Sequence, residues 1–462
     1  MNIPPHIFKG YDIRAIYPTE ISEENTKVIV KAIYYFLSEN SQKQKPLTVA
    51  LGHDMRISSP SLFAVMKEAL VESGAEVVDL GLVTTPSVYF AVSHYGYDAG
   101  LQLTASHNTK EYNGIKIVTN FDKEKGLVKI GKTTGMETIK QYAIEGKEVT
   151  IDNPGSVVPN ENVLRDEVES SLKMTGNPQI KNLRVVADAA NAMGAVYLEA
   201  LFEKLPCELI KMNFELDGTF PVHQADPLQL DTLVELQKRV VEEKADLGLA
   251  PDGDGDRLFF IDEKGEVVPP TIITSIISRE LLKKHPGATI LYDIRYILTP
   301  EKIIEEEGGK SDITKVGHAF ITEKMRETGA VFGGESSSHF FFKETGNAEA
   351  QMPVVLMVLD VLSREGKTLS QLVEELRRSC ESGEFNFEVK NAPQIMEEIK
   401  SKYSDGELST LDGIAITYPE FRFSLRTSNT EPLMRLNVEA HEKSVMEEKR
   451  DEIMDLIKTL AQ

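Results

Sequence analysis

A pattern that recurs three times along the chain sets the strongest limit on its fold. Each copy is a short run of apolar and β-branched residues that ends in an acidic residue and precedes polar residues, as buried strands do. The three copies span residues 47–54, 183–188 and 288–293. Helical patterns follow the first two copies, at residues 61–73 and 195–204. The repeat therefore predicts three similar α/β units.

Each unit continues into a second apolar run that ends in a polar loop. These runs and their loops span residues 99–107, 245–254 and 330–338. Strands that alternate with helices predict mixed, mostly parallel sheets with helices on both faces. Ligands of such sheets bind beyond the carboxyl ends of the strands, which is where all three loops fall. We therefore expect the loops to point into a common cleft.

The last part of the chain has a different pattern. A predicted helix at 369–378 is followed by a polar turn at 380–384. Further strands are predicted at 385–389, 414–418 and 422–426, and further helices at 393–403 and 439–460. These segments predict a smaller α+β C-terminal domain. Because 462 residues are too many for one hydrophobic core, we expect three or four domains.

Charge and cysteine content narrow the choice of partners and compartment. The formal net charge is −22, and such a surface repels nucleic acid and anionic membranes. An anionic substrate can bind only where a local basic cluster overcomes this field. Cys207 and Cys380 have no metal-ligand spacing and predict reduced thiols. No signal-peptide pattern and no apolar run of membrane-spanning length is seen, so we expect a cytoplasmic protein.

Three aspartates carry the most specific chemical information. Asp252, Asp254 and Asp256 alternate with glycines directly after an apolar run. The glycines allow the backbone to curl so that the carboxylates converge, and three oxygen ligands suit a hard cation such as Mg²⁺. An EF-hand loop is not favoured, because Arg257 occupies the position that requires glycine and because residues 258–261 predict a buried strand.

Ser106 lies at the end of a predicted strand, where it can act as a nucleophile. His107 follows it directly, and adjacent residues of an extended segment point to opposite faces, so His107 is predicted to be a poor base for Ser106. The segment lacks the Gly-x-Ser-x-Gly motif, which argues against a serine hydrolase. Taken alone, Ser106 does not establish a catalytic site.

Two further loops have chemistry that suits a sugar phosphate. Glu335 and Ser337 can bind sugar hydroxyls, although a serine-rich turn that caps a helix has the same composition. In the segment 426–432, Arg426 supplies a bidentate fork and is followed by serine and threonine hydroxyls. This is the chemistry of a phosphate-binding loop, with an ordinary turn as the alternative. The segment is not a Walker loop, because it lacks the glycines.

Together these segments resemble the α-D-phosphohexomutase superfamily, in its phosphomannomutase/phosphoglucomutase branch. The matching motifs are Thr104-Ala-Ser-His-Asn108, Asn113-Gly-Ile-Lys116, Asp252-Gly-Asp-Gly-Asp-Arg257, Gly334-Glu-x-Ser-x-His339 and Arg426-x-Ser-Asn-Thr-x-Pro432. Supporting likeness occurs at Tyr11-Asp-Ile-Arg14, Gly52-His-Asp-Met-Arg56, Asp217-Gly-Thr-Phe-Pro221 and Gly317-His318. The motifs occur in the order of the family, and the resemblance covers essentially the whole chain.

The resemblance implies three topologically similar α/β domains and a smaller α+β domain around a central cleft. The implied domains span residues 1–151, 152–266, 267–379 and 380–462. In that order they carry the phosphoserine, the metal, the sugar-binding and the phosphate-binding loops.

The resemblance also implies the parts of the site. Ser106 is the implied phosphoserine, and Asp252, Asp254 and Asp256 are implied to hold Mg²⁺ with a phosphoserine oxygen. Lys116 is the implied general acid or base, with a pKa that nearby cations lower.

Other side chains are implied to bind the hexose phosphate. Arg14 and Arg257 are the implied cations at the transferring phosphoryl group, and Glu335 and Ser337 read the sugar hydroxyls. The phosphate that is not reacting is implied to bind to Arg426, Ser428, Asn429 and Thr430. The substrate-binding set is completed by Tyr11, Arg295, His318 and His339.

The implied activity moves a phosphate between the C1 and C6 oxygens of mannose and/or glucose through a hexose 1,6-bisphosphate. A phosphoglucosamine mutase is an alternative, although its sugar loop commonly has Gln where this chain has Ser336. A catalytically silent sugar-phosphate-binding protein is another. A phosphatase with an aspartyl nucleophile would carry phosphate on Asp252 rather than on Ser106. The protein is expected to be a monomer or a dimer.

Overall fold

The structure is a computed structural model that describes residues 3–43, 46–427 and 433–461. The chain divides into two compact units. The first unit comprises Met1–Val268 and Ser337–Gln371, and the second comprises Pro269–Ser336 and Leu372–Gln462.

The strands and helices are numbered in chain order. The strands are β1 Ile13–Ile16, β2 Thr48–His53, β3 Glu76–Leu82, β4 Ala99–Leu103, β5 Tyr112–Thr119, β6 Val128–Lys129, β7 Ser156–Pro159, β8 Arg184–Asp188, β9 Glu208–Met212, β10 Leu247–Pro251, β11 Leu258–Asp262, β12 Val267–Val268, β13 Thr289–Asp293, β14 Lys310–Thr314, β15 Phe332–Gly334, β16 Phe340–Phe342, β17 Ala348–Glu349, β18 Cys380–Glu388, β19 Glu407–Ser409, β20 Ile414–Thr417, β21 Phe421–Thr427 and β22 Leu433–Ala440. The helices are α1 Glu23–Asn40, α2 Ser59–Glu72, α3 Thr85–His94, α4 Met136–Glu145, α5 Val163–Thr175, α6 Gly194–Phe202, α7 Val234–Glu243, α8 Pro270–Lys284, α9 Leu298–Glu306, α10 His318–Thr328, α11 Gln351–Glu365, α12 Leu369–Leu376, α13 Ala392–Lys402 and α14 Lys443–Leu460.

The first sheet of the first unit has the strand order β1-β5-β4-β2-β3-β7, with β6 paired to β5. Strands β4, β2 and β3 are parallel, whereas β5 runs antiparallel to β1 and β4. Alternate side chains of β2 enter different cores: Val49 and Leu51 pack with α1 and α2, and Ala50 packs with α3. Helices therefore cover both faces, and the loops after β2 and β4 lie at the same edge of the sheet.

The second sheet of the first unit has the order β12-β11-β10-β8-β9. Strands β8, β9 and β10 are parallel, and β11 and β12 are antiparallel. Helix α7 covers one face by packing Leu236 and Val240 against Val186 and Ile261. The connection from β10 to β11 is the aspartate-rich segment 252–257. Later in the first unit, β16 and β17 form an antiparallel pair that leads into the buried helix α11.

The second unit contains parallel strands and a separate antiparallel sheet. Strand β13 pairs in parallel with β14 and β15. The antiparallel sheet has the order β18-β22-β21-β20-β19, and α13 and α14 pack on its core face. Mixed α/β sheets followed by an antiparallel C-terminal sheet are the fold class that the sequence predicts.

The C-terminal sheet corrects two details of the prediction. The segment 380–384, predicted as a polar turn, is part of strand β18. The helix predicted at 439–460 begins only at Lys443, because Glu439 lies in β22, a strand that was not predicted. The core face of β22 is formed by Met434, Leu436, Val438 and Ala440. Polar residues, two of them charged, separate these apolar positions, so β22 has the period of two of a strand but no continuous apolar run.

Glu439 explains why this strand was mistaken for the start of a helix, because glutamate is seldom found buried in a sheet. Its carboxylate accepts hydrogen bonds from the N–H groups of Ile297, at 2.7 Å, and of Leu298, at 3.1 Å, where helix α9 begins. It also lies 3.3 Å from Nη1 of Arg422. The free N–H groups of a helix N-terminus stabilise a carboxylate, so a residue that looks solvent-exposed in sequence joins β22 to α9.

Two further predictions concern the cysteines and membrane-spanning segments. Cys207 and Cys380 are free, half-buried thiols. Within the described ranges, no helix combines the length and the apolar character that a membrane span requires.

Candidate active site

Ser106 lies just beyond β4 in a backbone conformation that few residue types tolerate. Its φ angle is 50°, in the left-handed region, and its side chain is buried. Its N–H donates a hydrogen bond to Oγ1 of Thr104 at 2.9 Å, a turn that hydroxyl side chains commonly form. Because the left-handed conformation costs roughly 1–2 kcal/mol for a residue with a Cβ atom, other contacts must hold it.

Arg56 provides those contacts. Its side chain is fully buried, and Nη1 and Nη2 each donate to two backbone carbonyl oxygens of the loop 106–112, at 2.7 to 3.0 Å. The accepting carbonyls are those of Ser106, Asn108, Thr109 and Tyr112. Nε donates to Oδ2 of Asp54 at 3.1 Å. All five donors of the guanidinium are therefore used, which makes Arg56 a positioning residue for the Ser106 loop.

The aspartate-rich segment 252–257 turns sharply between β10 and β11. Gly255 has a φ angle of 77°, and Oδ1 of Asp252 accepts hydrogen bonds from the N–H groups of Gly255 and Arg257, both at 3.1 Å. A Cβ atom at Gly253 would lie 2.2 Å from the carbonyl oxygen of Ser106. Glycine at this position therefore allows the segment to pack directly against the Ser106 loop.

The three aspartates converge on this loop. Asp252, Asp254 and Asp256 are buried, and one carboxylate oxygen from each lies within 4.8 Å of the others. The hydroxyl of Ser106 donates a hydrogen bond to Oδ2 of Asp252, with 2.9 Å between the oxygens. Ser106, which follows β4 of the first sheet, and the three aspartates, which follow β10 of the second sheet, therefore form one site within the first unit.

Lys116 of β5 lies against the same cluster. Its Nζ donates hydrogen bonds to Oδ2 of Asp254 and of Asp256, both at 2.6 Å. Burial lowers the pKa of Lys116, but the two carboxylates outweigh burial and hold this pKa well above its usual value. The prediction that cations lower the pKa of Lys116 is therefore wrong, because its nearest neighbours are carboxylates.

The cluster holds more negative charge than Lys116 neutralises. Burial, together with the carboxylates of Asp256 and Asp254, raises the pKa of Asp252 to about 8. Oδ1 of Asp254 is buried and accepts no hydrogen bond from the residues that the structure describes. Convergent carboxylate oxygens with an unused acceptor are a donor set for a hard divalent cation. These residues therefore fit a metal ion.

Arg14 of β1 is largely buried beside this cluster. Its Nη1 donates to Oδ1 of Asn108 and its Nη2 donates to Oδ2 of Asp12, while Nε has no hydrogen-bond partner in the described part of the chain. Burial lowers the pKa of Arg14, but the carboxylates, Asp12 first, raise it above its usual value. The side chain is therefore a fixed cation whose Nε–H is still available as a donor.

Arg257, His339 and Ser337 form one network with the acidic cluster. Nη1 of Arg257 lies 3.4 Å from Oδ1 of Asp226, and its Nε lies 3.5 Å from Nε2 of His339. Nε2 of His339 is 3.3 Å from Oδ1 of Asp256. On the other side of the ring, Nδ1 of His339 is 2.9 Å from Oγ of Ser337.

His107 corrects the expectation that it faces away from Ser106. Its Nδ1 lies 3.2 Å from Oγ of Ser106, because the left-handed φ of Ser106 breaks the extended alternation on which the expectation depended. Burial lowers the pKa of His107 well below its usual value, and Arg257 and Arg14 lower it further. The neutral imidazole therefore hydrogen-bonds to the serine hydroxyl and adds no charge to the site.

Arg295 is one of the predicted site residues of the second unit. It follows β13, and its Nε and Nη2 donate to the two carboxylate oxygens of Asp293, at 2.9 and 2.8 Å. The N–H of Ser336 also donates to Asp293, at 2.6 Å. The carboxylate therefore ties Arg295 to Ser336, in the predicted sugar loop.

Glu335 and His318 lie close to each other in the second unit. Glu335 is buried and accepts a hydrogen bond from the N–H of Gly317 at 2.8 Å. Gly317 directly precedes His318, the first residue of α10. The start of this helix and Glu335 of the predicted sugar loop are thereby held together.

Arg426 lies at the end of β21 and is buried. Its Nη2 donates to Oε2 of Glu384 at 2.6 Å, and its Nε has no hydrogen-bond partner among the described residues. The predicted phosphate ligands Ser428, Asn429 and Thr430 lie outside the described residues. Tyr11, in the first unit, is half-buried just before β1.

Four segments of the chain match domains of one family, in order along the sequence. Phosphoglucomutase/phosphomannomutase, alpha/beta/alpha domains I, II and III match residues 5–129, 166–265 and 269–379. The C-terminal domain of the same family matches residues 384–456. The chain belongs to the phosphoglucomutase/phosphomannomutase family. The four-domain architecture predicted from the sequence is thereby confirmed.

Individual relatives of this mutase match over nearly their whole length. The phosphomannomutase of Methanocaldococcus jannaschii is 36% identical over 461 residues, 98% of each chain. A protein of Xanthomonas campestris pv. campestris named phosphohexose mutases is 34% identical over 98% of this chain and 99% of its own. The crystal structure of a phosphoglucomutase/phosphomannomutase family protein from Burkholderia thailandensis has a TM-score of 0.87 at 28% identity, and covers 99% and 98% of the two chains. The chain is therefore an enzyme of the mutase, or isomerase, class.

Two parts of the candidate site had no role in the sequence prediction. Arg56 belongs to the matched motif Gly52-His-Asp-Met-Arg56, but nothing local indicates that its guanidinium reaches the Ser106 loop. The loop 223–226 is the second part, and the motif Asp217-Gly-Thr-Phe-Pro221 just before it was the available sequence clue. The contacts of this loop include those of Gln224 Nε2 with the carbonyl of His107 at 2.6 Å, of the carbonyl of Ala225 with the N–H of Gly253 at 3.1 Å, and of Asp226 with Arg257.

Proposed function

We propose that this mutase interconverts hexose 1-phosphate and hexose 6-phosphate, with mannose and/or glucose as the sugar. A phosphorylated Ser106 and a hexose 1,6-bisphosphate are the proposed intermediates. The observation that carries the proposal is the hydrogen bond of 2.9 Å from Ser106 to Asp252, inside the acidic cluster. The names of the relatives, phosphomannomutase and phosphohexose mutases, support the same activity.

Asp252, Asp254 and Asp256 are the proposed ligands of Mg²⁺, with an oxygen of phosphorylated Ser106 as a further ligand. When bound, the ion supplies positive charge that neutralises the phosphoryl group during transfer. The residues of the chain supply the geometry. Gly253 allows the two loops to touch, and Arg56 holds the main chain that carries Ser106.

Arg14, Arg257 and Lys116 are the proposed cationic side chains around the transferring group. The planar guanidinium groups suit phosphate oxygens, to which they can donate two parallel hydrogen bonds. Lys116 is the proposed group that carries the proton between the hexose hydroxyl and the serine oxygen.

The reaction has two half-steps in this proposal. First, the bond between phosphorus and Oγ of Ser106 breaks, and a bond from phosphorus to the free hexose hydroxyl forms. Protonated Lys116 gives a proton to Oγ of Ser106 as the phosphoryl group leaves, and takes a proton from the hexose hydroxyl in its place. After the hexose 1,6-bisphosphate has turned around, its other phosphate returns to Ser106 by the reverse bond changes and the reverse proton transfer.

The remaining side chains are proposed to recognise the substrate. Glu335 and Ser337 read sugar hydroxyls that mannose and glucose share, so the configuration at C2 has little influence on binding. The phosphate that is not reacting binds to Arg426, Ser428, Asn429 and Thr430. Further proposed substrate ligands are Tyr11, Arg295, His318 and His339.

Replacement of the serine tests the proposal directly. With glucose 1,6-bisphosphate as primer and Mg²⁺ present, purified protein should convert glucose 1-phosphate or mannose 1-phosphate to the 6-phosphate. Ser106→Ala should lose essentially all turnover and the phosphoprotein mass, yet still bind hexose phosphate. Ser401→Ala, at an exposed position of α13, is the matched control and should behave as the wild type.

Conversion of neither hexose phosphate by the wild type, or full turnover by Ser106→Ala, would contradict the proposal. Kinetics on mannose, glucose and glucosamine 1-phosphates, measured side by side, separate the proposed substrates from the phosphoglucosamine alternative.

The proposal retains four general expectations. They are domain boundaries near residues 151, 266 and 379, a cytoplasmic location, a monomer or dimer, and no nucleic-acid or membrane partner.

A further inference from the structure

Two arginines of the C-terminal sheet share one carboxylate. Arg426 on β21 stands directly opposite Arg435 on β22. Glu384 reaches both from β18, the neighbour of β22. Its Oε2 accepts from Nη2 of Arg426 at 2.6 Å, and its Oε1 lies 3.2 Å from Nη1 of Arg435.

Three arginines act electrostatically on Glu384, and one of them, Arg295, is also paired with Asp293. Burial raises the pKa of Glu384, but Arg295, Arg426 and Arg435 together outweigh burial and hold the pKa below its usual value. In a protein of net charge −22, such a group of cations is the kind of local basic cluster that an anionic substrate requires. Glu384 neutralises part of that cluster from within the protein.

We propose that Glu384 is an internal competitor for the phosphate that Arg426 binds. When no phosphate is bound, its carboxylate pairs with the guanidinium of Arg426, and an arriving phosphate displaces the carboxylate. This inference rests on the proposed function, in which Arg426 binds the phosphate that is not reacting.

The geometry supports an exchange of one anion for the other. A carboxylate and a phosphate both present oxygens that a guanidinium can bind with two parallel hydrogen bonds. The side chain of Glu384 is 26% exposed, whereas that of Arg426 is only 5% exposed. The carboxylate can therefore turn into water while the arginine stays in place. Nε of Arg426, without a partner among the described residues, is a donor that the incoming phosphate can use.

Such a competitor has a purpose in the proposed reaction. The two phosphates of the bisphosphate take turns in the non-reacting position, so this position must release a phosphate in every turnover. Tight binding of a phosphate to an arginine slows its release, and binding that is equally tight before and during reaction does not raise kcat. Glu384 lowers the affinity for phosphate and thereby speeds this exchange.

Removal of the negative charge tests the inference. In the full-length chain, Glu384→Gln should bind inorganic phosphate about tenfold more tightly by isothermal titration calorimetry, because one buried competitor charge is lost. The KM for hexose 1-phosphate and kcat should both fall, each by about the same factor. Glu407→Gln, on β19 at the opposite edge of the same sheet, removes an equal charge and should change none of these values.

The gain must depend on the arginine. Adding Arg426→Ala to Glu384→Gln should abolish the tighter phosphate binding, and a gain that persists in the double variant would contradict the inference. Unchanged or weaker phosphate binding by folded Glu384→Gln would overturn it. If that variant does not fold, Glu384→Asp retains the charge on a shorter side chain and should bind phosphate about threefold more tightly; no gain there also overturns the inference.

Failure of this inference and failure of the proposed function give different results. An inactive wild type whose Glu384→Gln variant gains phosphate affinity contradicts the mutase proposal and supports the competitor. An active wild type whose variant gains no affinity supports the mutase proposal and refutes the competitor.

Discussion

The arginines of this mutase differ in how many of their donors the protein itself uses. Arg56 commits all five to Asp54 and to the loop 106–112. Arg14 and Arg426 each have a buried Nε that finds no acceptor in the described ranges. A fully bonded guanidinium positions the main chain, whereas a partly bonded one can still receive an anion. Hydrogen-bond use therefore separates the positioning arginine from the proposed phosphate-binding arginines.

Arg56→Lys should lower kcat about a hundredfold and leave the KM for hexose phosphate nearly unchanged. A lysine has three donors and no planar fork, so at least one carbonyl of the loop 106–112 loses its partner. The left-handed Ser106 then loses support, and a displacement of about 1 Å can cost about 100-fold in rate. Steady-state kinetics with glucose 1-phosphate, together with a thermal melting curve, measure both effects.

Arg165→Lys is the matched control for this change. Arg165 is exposed on α5 and pairs with Asp166 at the surface, a contact worth little, so its kinetics should match the wild type. A wild-type kcat for Arg56→Lys would show that the Ser106 loop holds its conformation without the guanidinium.

At the scale of secondary-structure elements, α3 connects the acidic cluster to α5. Thr85, at the start of α3, donates from Oγ1 to Oδ2 of Asp254 at 2.6 Å and from its N–H to the carbonyl of Asp254 at 3.0 Å. Two residues later, Oγ of Ser87 donates to Oε2 of Glu167 on α5 at 2.6 Å. The contact between α3 and α5 thus contains a buried acid close to the site.

This acid makes stability depend on pH. Burial raises the pKa of Glu167 to about 7, from a usual value of 4.5. Between these values the folded protein keeps a proton that the unfolded chain has released, so the free energy of unfolding falls as pH rises through the window. Above the folded-state pKa, the accumulated loss is about 3 kcal/mol. Glu167→Gln cannot titrate and should avoid this loss.

The free energy of unfolding of Glu167→Gln, relative to that of the wild type, should therefore rise by about 2–3 kcal/mol as the pH rises from about 5 to about 8. Denaturant titrations of both proteins at the two pH values measure the difference. Glu169→Gln, exposed on the same helix, should show no such dependence. A gain for Glu167→Gln that does not vary with pH would indicate that packing, and not titration, is responsible.

At the scale of the whole molecule, the net charge of −22 and the acidic cluster predict different responses to cations. Any salt screens the overall charge, whereas a divalent cation bound by the three aspartates also stabilises the folded state by mass action. Mg²⁺ should therefore raise the unfolding temperature more than KCl of equal ionic strength. The extra stabilisation should reach about 2.7 kcal/mol at a hundredfold excess over Kd.

Asp252→Asn separates the two responses, because it removes a proposed ligand charge and keeps Oδ1. It should lose the Mg²⁺-specific rise and retain the rise caused by KCl. Asp231→Asn, at an exposed position, should retain both. Differential scanning fluorimetry measures these unfolding temperatures. An equal Mg²⁺-specific rise in the wild type and in Asp252→Asn would place the ion elsewhere.

The sequence was sufficient for features that depend on short motifs. The recurring strand with its polar loop predicted the α/β units, and alternation with glycine predicted that Asp252, Asp254 and Asp256 converge. Both follow from local backbone rules: strands alternate and glycine permits close turns. The repeat also indicated that Ser106 and the aspartates occupy corresponding positions after their strands.

The features that were wrong or missing depend on partners distant in sequence. The pKa of Lys116 follows from carboxylates on another sheet, and the role of Arg56 follows from four carbonyls in the loop 106–112. Strand β22 was overlooked because Glu439 resembles an exposed residue in sequence. Its buried carboxylate is stabilised by hydrogen bonds from N–H groups at the start of α9. A single sequence contains no measure of such distances, so these features required the structure.

The conformation of Ser106 has a consequence for the phosphorylated protein. Its N–H is bonded to Thr104 and its carbonyl to Arg56, and neither bond involves the hydroxyl. Esterification of that oxygen therefore leaves both anchors intact. The two covalent forms of the protein should share one main-chain trace at this loop, so that any difference in their affinity for a sugar arises from the phosphoryl group itself and not from a rearranged backbone.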